Sequence, residues 1–222
     1  MNKKIQIGKK ILSANEEYAR ENRKVFTEHH LPCFNLISSP GSGKTSILAK
    51  TIGDLKGKLT AAVIEGDIAT ELDAQRIRSA GAAAIQINTD GACHLTAAQV
   101  NSALQKLPLN DLDLVFIENV GNLVCPSAFE LGEDSKIVVL SVAEGDDKPL
   151  KYPGIFSKSK VMLINKIDLL EGPAKDDFDV EKVKADARKL NPNIEIFCVS
   201  AKTGKGMNEW YDWLLRVTAK TA

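Results

Sequence analysis

The segment Ser38-Ser39-Pro40-Gly41-Ser42-Gly43-Lys44-Thr45 sets two glycines, a lysine and a hydroxyl between an apolar run and the helix-like SILAKTIGDL. That spacing suits the binding of a polyphosphate. Glycines let backbone N–H groups turn inward, the helix N-terminus adds positive potential, Lys44 can bridge the outer phosphates, and Thr45 can offer its hydroxyl to Mg²⁺. Gly41, Ser42, Gly43 and Ser46 complete the cradle. The usual first glycine of such a loop is replaced by Ser38, which can make the turn if its φ stays negative. Two carboxylates are placed to join it. Asp67 closes the run AAVIEGD, and Glu118 closes LVFIE just before Asn119-Val120-Gly121. Thr45, Asp67 and Glu118 are therefore the candidate Mg²⁺ ligands, and either carboxylate could orient an attacking water.

A second set follows at Asn165-Lys166-Ile167-Asp168, which resembles the NKxD element with which GTPases read the base. A carboxylate at Asp168 can accept from guanine N1–H and its exocyclic amine together, a donor pair that adenine lacks. Ser200-Ala201-Lys202 is similar to the SAK element that supports guanine, and Glu118-Asn119-Val120-Gly121 to the DxxG element, with Glu for Asp. Gly121 would then offer its N–H to the γ-phosphate. Phosphoryl transfer is mostly positioning and charge neutralisation, so Lys44, Asp67, Glu118 and Gly121 are the candidate catalytic groups.

The third set is soft. Cys93 and His94 are adjacent in DGACHL, and Cys125 lies four residues beyond Gly121 in GNLVCPS. Two sulfurs and a nitrogen suit Ni²⁺ or Zn²⁺ rather than Mg²⁺. Three ligands leave a tetrahedral shell open to water or to a second subunit. A helix expected from residue 94 would lower the Cys93 thiol pKa through its N-terminal dipole. Cys33 and Cys198, by contrast, lie inside apolar runs and read as buried strand residues.

Seven short runs must position these groups: CFNLIS, TAAVIEGD, AAIQIN, DLVFIEN, KIVVLSV, KVMLINK and IEIFCVS. Each is apolar on successive residues, as a parallel sheet covered on both faces requires. Helices are expected after Gly43 and over 70–80, 94–106, 178–190 and 206–218, with 171–177 as a surface loop. The fold class is α/β, a doubly wound, mostly parallel sheet of about seven strands. Residues 1–31 read as a leading helix packed through Ile11, Leu12, Tyr18, Ala19, Val25 and Phe26, and residues 32–222 as the nucleotide domain. Twenty-nine basic against twenty-nine acidic residues give no net charge, which argues against nucleic acid or anionic membrane as a partner. No apolar stretch approaches the roughly 18 to 20 residues of a membrane span, and no secretory leader is evident, so a cytoplasmic protein is expected.

The motifs SSPGSGKT, EGDIATELDAQR, CHL, ENVGNLVCP, EGDDKPLKYP and NKIDLL together identify the chain as a member of the HypB family of nickel-incorporation GTPases, of the SIMIBI class of P-loop proteins. The resemblance implies slow hydrolysis of GTP to GDP coupled to nickel delivery in hydrogenase maturation. It further implies GTP-dependent homodimers with Cys93, His94 and Cys125 at the interface, and Lys148 close to the partner's nucleotide. A HypA-type nickel donor and the hydrogenase large-subunit precursor would be its partners. Many family members carry an N-terminal cysteine motif or His-rich tract, whereas residues 1–32 hold only His29-His30, a pair expected to be exposed. Three other readings stand beside this one. A module with a structural zinc would bind metal regardless of nucleotide; a urease-type nickel GTPase would carry Cys-Pro-His rather than Cys93-His94; and an ATP-dependent kinase would leave NKxD unexplained.

Overall fold

The computed structural model describes residues 2–67, 72–172 and 177–219, with the backbone alone at 2–12 and 67. Its elements in chain order are α1 (Asn2–Glu28), β1 (Cys33–Ser38), α2 (Lys44–Asp54), β2 (Ala61–Asp67), α3 (Leu72–Ala80), β3 (Ala83–Asn88), α4 (Ala97–Leu104) and β4 (Leu114–Glu118). There follow α5 (Cys125–Ala128), β5 (Ser135–Ser141), α6 (Lys148–Lys151), α7 (Pro153–Lys158), β6 (Ser159–Asn165), α8 (Val180–Leu190), β7 (Glu195–Cys198) and α9 (Met207–Thr218). The strands form one sheet in the order β3-β2-β4-β1-β5-β6-β7, and every pairing is parallel. The expected seven runs are the seven strands.

Alternate residues of each strand enter opposite layers. Phe34, Leu36, Val63, Phe116, Val139 and Leu163 face α2, α3 and α9, while Ile37, Ile64, Ile117, Val138, Leu140 and Ile164 face the helices of the other side. Burial on both sides is why the runs show no alternation of polarity. On the first face Trp210 and Trp213 stack 5.3 Å apart and are fully buried. Trp210 Nε1 donates to Thr51 Oγ1 at 3.0 Å and Tyr211 donates to Asp54 Oδ2 at 2.7 Å, so α9 fastens the helix that follows the phosphate loop.

On the other face α1 lies against α4, and its inner side is the expected one at Ala19, Val25 and Phe26 but not at Tyr18. Ala19 and Phe26 are buried with Asn15 and Asn22, whereas Tyr18 is 42% exposed, and the side chains of Ile11 and Leu12 lie outside the described residues. The asparagines go inward because their amides answer backbone groups. Asn15 bonds Ala97 N–H and Glu130 C=O, and Asn22 donates to the carbonyls of Ala97 and Leu131. The helix α4 starts at Ala97, not at residue 94, because Thr96 and Gln99 form a capping box there. Pro126, Pro149 and Pro153 stand in the first turns of the short helices α5, α6 and α7, which the sequence pattern did not suggest. Of the loop 171–177, residues 173–176 lie outside the described residues.

One buried ion pair ties this layer together. Lys136 Nζ lies 2.7 Å from Glu133 Oε1 and 2.7 Å from Glu130 Oε1, with the Lys136 and Glu133 side chains only 4% and 1% exposed. Burial alone would raise the Glu133 carboxyl; the Lys136 ammonium and the Asn35 amide instead hold it below its ordinary value. Its contribution is therefore present above the unfolded carboxyl value near pH 4.5 and is lost as pH falls through the lower folded value. Removing one partner of such a pair strands a buried charge. Lys136→Met should lower the unfolding free energy by about 3–5 kcal/mol in urea titrations at neutral pH, with the deficit shrinking in acid; an unchanged midpoint would contradict this reading.

Candidate nucleotide and metal site

The carboxyl ends of β1, β2, β4 and β6 come together along one edge, where successive strands pass to opposite sides of β1. That reversal is the usual place for a ligand in an open α/β sheet. A cleft of about 470 Å³ opens there, lined by Lys44, Thr45, Glu118, Gly121, Arg76 and Lys166 among others. Gly43, at φ 95°, caps α2 with no side-chain hydrogen bond, so the first-turn N–H groups are left to point at an anion. A Cβ at Gly43 would meet Asn165 Nδ2, which fixes that position as glycine on steric grounds as well. Ser38 keeps a negative φ within β1, and its hydroxyl accepts from Lys44 Nζ at 2.8 Å.

Lys44 is 8% exposed. Burial lowers the pKa of its ammonium, while the carboxylates of Glu118 and Glu144 pull the other way. A phosphate entering the cleft would supply the counter-charge that burial withholds. Thr45 Oγ1 donates to Glu118 Oε1 at 2.7 Å. Two oxygens on adjacent vertices of an octahedron with Mg–O of about 2.1 Å lie about 3 Å apart, so this pair fits a hard divalent cation with little movement. Asp67 ends β2 on the same edge, and its side chain lies outside the described residues. Gly121 touches the phosphate loop directly: a Cβ there would stand 2.9 Å from Pro40 Cα.

The base-reading candidates brace the cradle from behind. Asn165 donates to Ser42 C=O at 2.8 Å and accepts from Ala201 N–H at 3.2 Å, so one buried amide spans the phosphate loop and the Ser200–Lys202 turn. Lys166, in the left-handed region at φ 64°, donates to Gly41 C=O at 2.7 Å. Asp168 Oδ1 accepts from Ser200 Oγ at 2.6 Å, which aims the carboxylate, and Lys202 is exposed. Ser46 is exposed at the cleft rim. Sequence reasoning missed Glu144, whose Oε1 lies 2.5 Å from Ser42 Oγ, and Arg76, which enters the cleft from α3. Both belong to motifs quoted above, but nothing in their spacing marks them.

The soft ligands also converge. One ligand atom from each of Cys93, His94 and Cys125 lies within 4.8 Å of the others, although the two cysteines are 32 positions apart. Cys93 Sγ is 3.5 Å from His94 Nδ1, against about 3.5 Å for a tetrahedral S–metal–N edge built from ordinary Zn–S and Zn–N lengths. The donor set and its spacing fit a borderline-soft cation. His94 is held by Phe129, one helical turn beyond Cys125, with ring centroids 3.9 Å apart, a contact that sequence reasoning did not foresee. Burial lowers the His94 pKa, which favours the neutral, ligating ring. The expected depression of the Cys93 thiol is not found. Its pKa is raised, chiefly because the Cys125 thiol is its hydrogen-bond neighbour, and the dipole of α4 begins only at Ala97.

The remaining candidates fall elsewhere. Cys33 is fully buried, but Cys198 is only half-buried because β7 is an edge strand. His30 is exposed, and the half-buried His29 places Nδ1 2.9 Å from Asn110 Oδ1. Lys148 Nζ lies 5.7 Å from the centre of the Tyr152 ring. No helix among the described residues is long and apolar enough to cross a membrane.

Residues 32–198 match the family model described as CobW/HypB/UreG, nucleotide-binding domain. The chain is similar to the hydrogenase maturation factor HypB of Rhizobium leguminosarum bv. viciae, 51% identical over 98% of this chain and 72% of that protein. It is likewise 52% identical to HypB of Escherichia coli K12, over 92% of this chain and 69% of the relative. Among solved structures, HypB of Archaeoglobus fulgidus superposes with a TM-score of 0.85 at 39% identity, covering 93% of this chain and all of that one. HypB of Helicobacter pylori in complex with nickel gives 0.86 at 41%, covering 92% and 95%. The cell division protein FtsY of Thermotoga maritima, at 17% identity and TM-score 0.58 over 86% of this chain and 69% of that one, shares the fold. With its P-loop cleft and its Cys/His cluster on one sheet edge, the chain belongs to the CobW/HypB/UreG P-loop proteins and, within them, to the HypB hydrogenase maturation factors.

Proposed function

We propose that this chain is a GTP-hydrolysing metallochaperone that delivers nickel during maturation of nickel-iron hydrogenase in the cytoplasm, with GTP-dependent dimerisation gating its Cys/His site. The observation that carries the reading is the place of Cys125. It lies four residues beyond Gly121, which abuts the phosphate loop, and its thiol stands within ligand distance of Cys93 and His94. A movement that follows the γ-phosphate must therefore act on a metal ligand. The nickel-bound relative from Helicobacter pylori agrees with a nickel cargo.

In this reading the backbone of residues 41–45 and Lys44 hold the phosphates, Gly121 N–H meets the γ-phosphate, and Asp168 reads guanine. Mg²⁺, held by Thr45 with Glu118 or Asp67, would neutralise charge between the outer phosphates. Glu118 or Asp67 would also orient the water. Slow turnover is what the family resemblance implies.

Three protein ligands leave the metal shell open, and a second copy can close it or cover it. Val124, next to Cys125, and Leu150, beside Lys148, are each 58% exposed, so apolar side chains flank both segments that a partner would meet. Lys148 would then approach the partner's nucleotide. Metal would pass from a HypA-type donor to this chain and on to the hydrogenase large-subunit precursor. Residues 1–31 would act as an extension of the nucleotide domain 32–222.

Two outcomes test the reading. Asp168→Asn should weaken GTP binding by about 10- to 100-fold with little change for ATP, since a charge-assisted pair of hydrogen bonds is lost. Fluorescent-nucleotide titration reads this, and an unchanged GTP over ATP preference refutes the base-reading assignment. Cys125→Ala should reduce nickel bound at micromolar metal to near zero while GTP affinity stays within about twofold. Equilibrium dialysis with metal analysis checks it; unaltered nickel stoichiometry would remove Cys125 from the site.

A further inference from the structure

The loop bearing Cys93 and His94 meets the Glu118–Gly121 stretch at one buried side chain outside the cluster. Asn119 is 2% exposed, and its Oδ1 accepts from Leu95 N–H at 3.1 Å and from Val120 N–H at 3.0 Å. Its Nδ2 donates to Asn35 Oδ1 at 3.2 Å. Asn35 Nδ2 donates in turn to Glu133 Oε1 at 3.0 Å, the oxygen that also takes Lys136 Nζ, while Glu133 Oε2 accepts from Leu131 N–H at 2.6 Å.

This series of bonds has a direction. An ionised carboxylate only accepts, so Asn35 must turn its NH₂ to Glu133 and its carbonyl to Asn119. Asn119 must then turn its NH₂ to Asn35, which leaves its carbonyl for the two backbone N–H groups. A flip of either amide would set donor against donor or acceptor against acceptor in a buried setting. The Lys136–Glu133 pair thus fixes which atom of Asn119 faces Leu95. Leu95 is itself fully buried and follows His94 directly, and a Cβ on Gly66 would stand 2.7 Å from its Cγ. Leu95 is thus seated over β2, and a shift of its backbone would act on the two ligands directly before it. Asn122 adds a second, longer tie, donating to Cys93 C=O at 3.4 Å.

We propose that Asn119 is the positioning residue that carries nucleotide state from the Glu118–Gly121 stretch to the Cys93/His94 loop, because one carbonyl oxygen holds a backbone N–H of each. The inference rests on the nucleotide-gated reading above and names the group that does the gating. It needs a change at Val120 to reach Leu95 through their shared acceptor, and coupling of this kind is reciprocal between metal and nucleotide.

The test is a nickel titration of the metal-stripped full chain, wild type and Asn119→Ala, each with GDP and with a non-hydrolysable GTP analogue at matched protein concentration. Wild type should show nickel affinities that differ by about tenfold or more between the nucleotides, a typical coupling. In Asn119→Ala that ratio should fall to within about twofold of one. A residue that merely holds the fold would weaken nickel alike in both states and leave the ratio intact. A ratio of one in wild type refutes the gated reading and this inference together; a large wild-type ratio retained in Asn119→Ala refutes this inference alone. Should Asn119→Ala fail to fold, amide exchange at Leu95 in wild type decides. Protection that differs between GDP and the GTP analogue by about tenfold supports the shared acceptor, and equal protection overturns it.

Discussion

A parallel sheet buried on both faces has room for polar chemistry only where its strands end. Here every strand runs the same way, so the residues at the carboxyl ends of β1, β2, β4 and β6 share one edge. That constraint brings Lys44, Thr45, Glu118, Gly121 and Asn165 into one region although they span more than half of the chain. It also separates labour: the layers of Phe, Leu, Ile and Trp on either face supply stability, and the loops at the edge are free to carry groups that would be costly elsewhere.

Those loops are not independent. Asn165 bonds both the phosphate loop and the turn at Ala201, Lys166 covers Gly41 C=O, and Gly121 leaves no space for a Cβ against Pro40. The Asn165 and Gly121 contacts are made by a short side chain and by backbone, so small displacements there are transmitted rather than absorbed. The carboxylates of Glu118 and Glu144 oppose the effect of burial on Lys44, and they also take the Thr45 and Ser42 hydroxyls, so charge of both signs is gathered at this edge.

The sheet was legible from sequence because double burial leaves an unbroken apolar signature, and all seven runs became strands. The phosphate and NKxD elements were legible because their chemistry tolerates few alternatives in residue type. What escaped shares a physical cause. Asn15, Asn22 and Asn119 point inward because backbone donors and acceptors from distant segments await them, and periodicity counts a polar side chain as outward. Tyr18 was misplaced by the same rule. The Cys93 thiol was read against a helix dipole, but the decisive neighbour is Cys125, 32 positions away, which no local pattern reveals. Phe129 under His94 and the half-burial of Cys198 likewise depend on tertiary packing and strand order.

The two ligand arms of the cluster are held by different elements. Cys93 and His94 precede the buried Leu95, and Asn15 takes the Ala97 N–H behind them, so this arm is anchored to β2, α1 and Asn119. Cys125 opens a four-residue helix after exposed Val124, between buried Leu123 and buried Pro126, in a loop that Gly121 ties to Pro40. A site with two ligands on an anchored arm and one on an arm tied to the phosphate loop does not need to rearrange wholly to change its grip. Displacing either arm against the other alters a three-ligand set, and two adjacent ligands without the third can satisfy only half of a tetrahedral shell. Because both arms lead back to the Glu118–Gly121 stretch, one through Asn119 and the other along the chain, a displacement there would change how the two arms face each other.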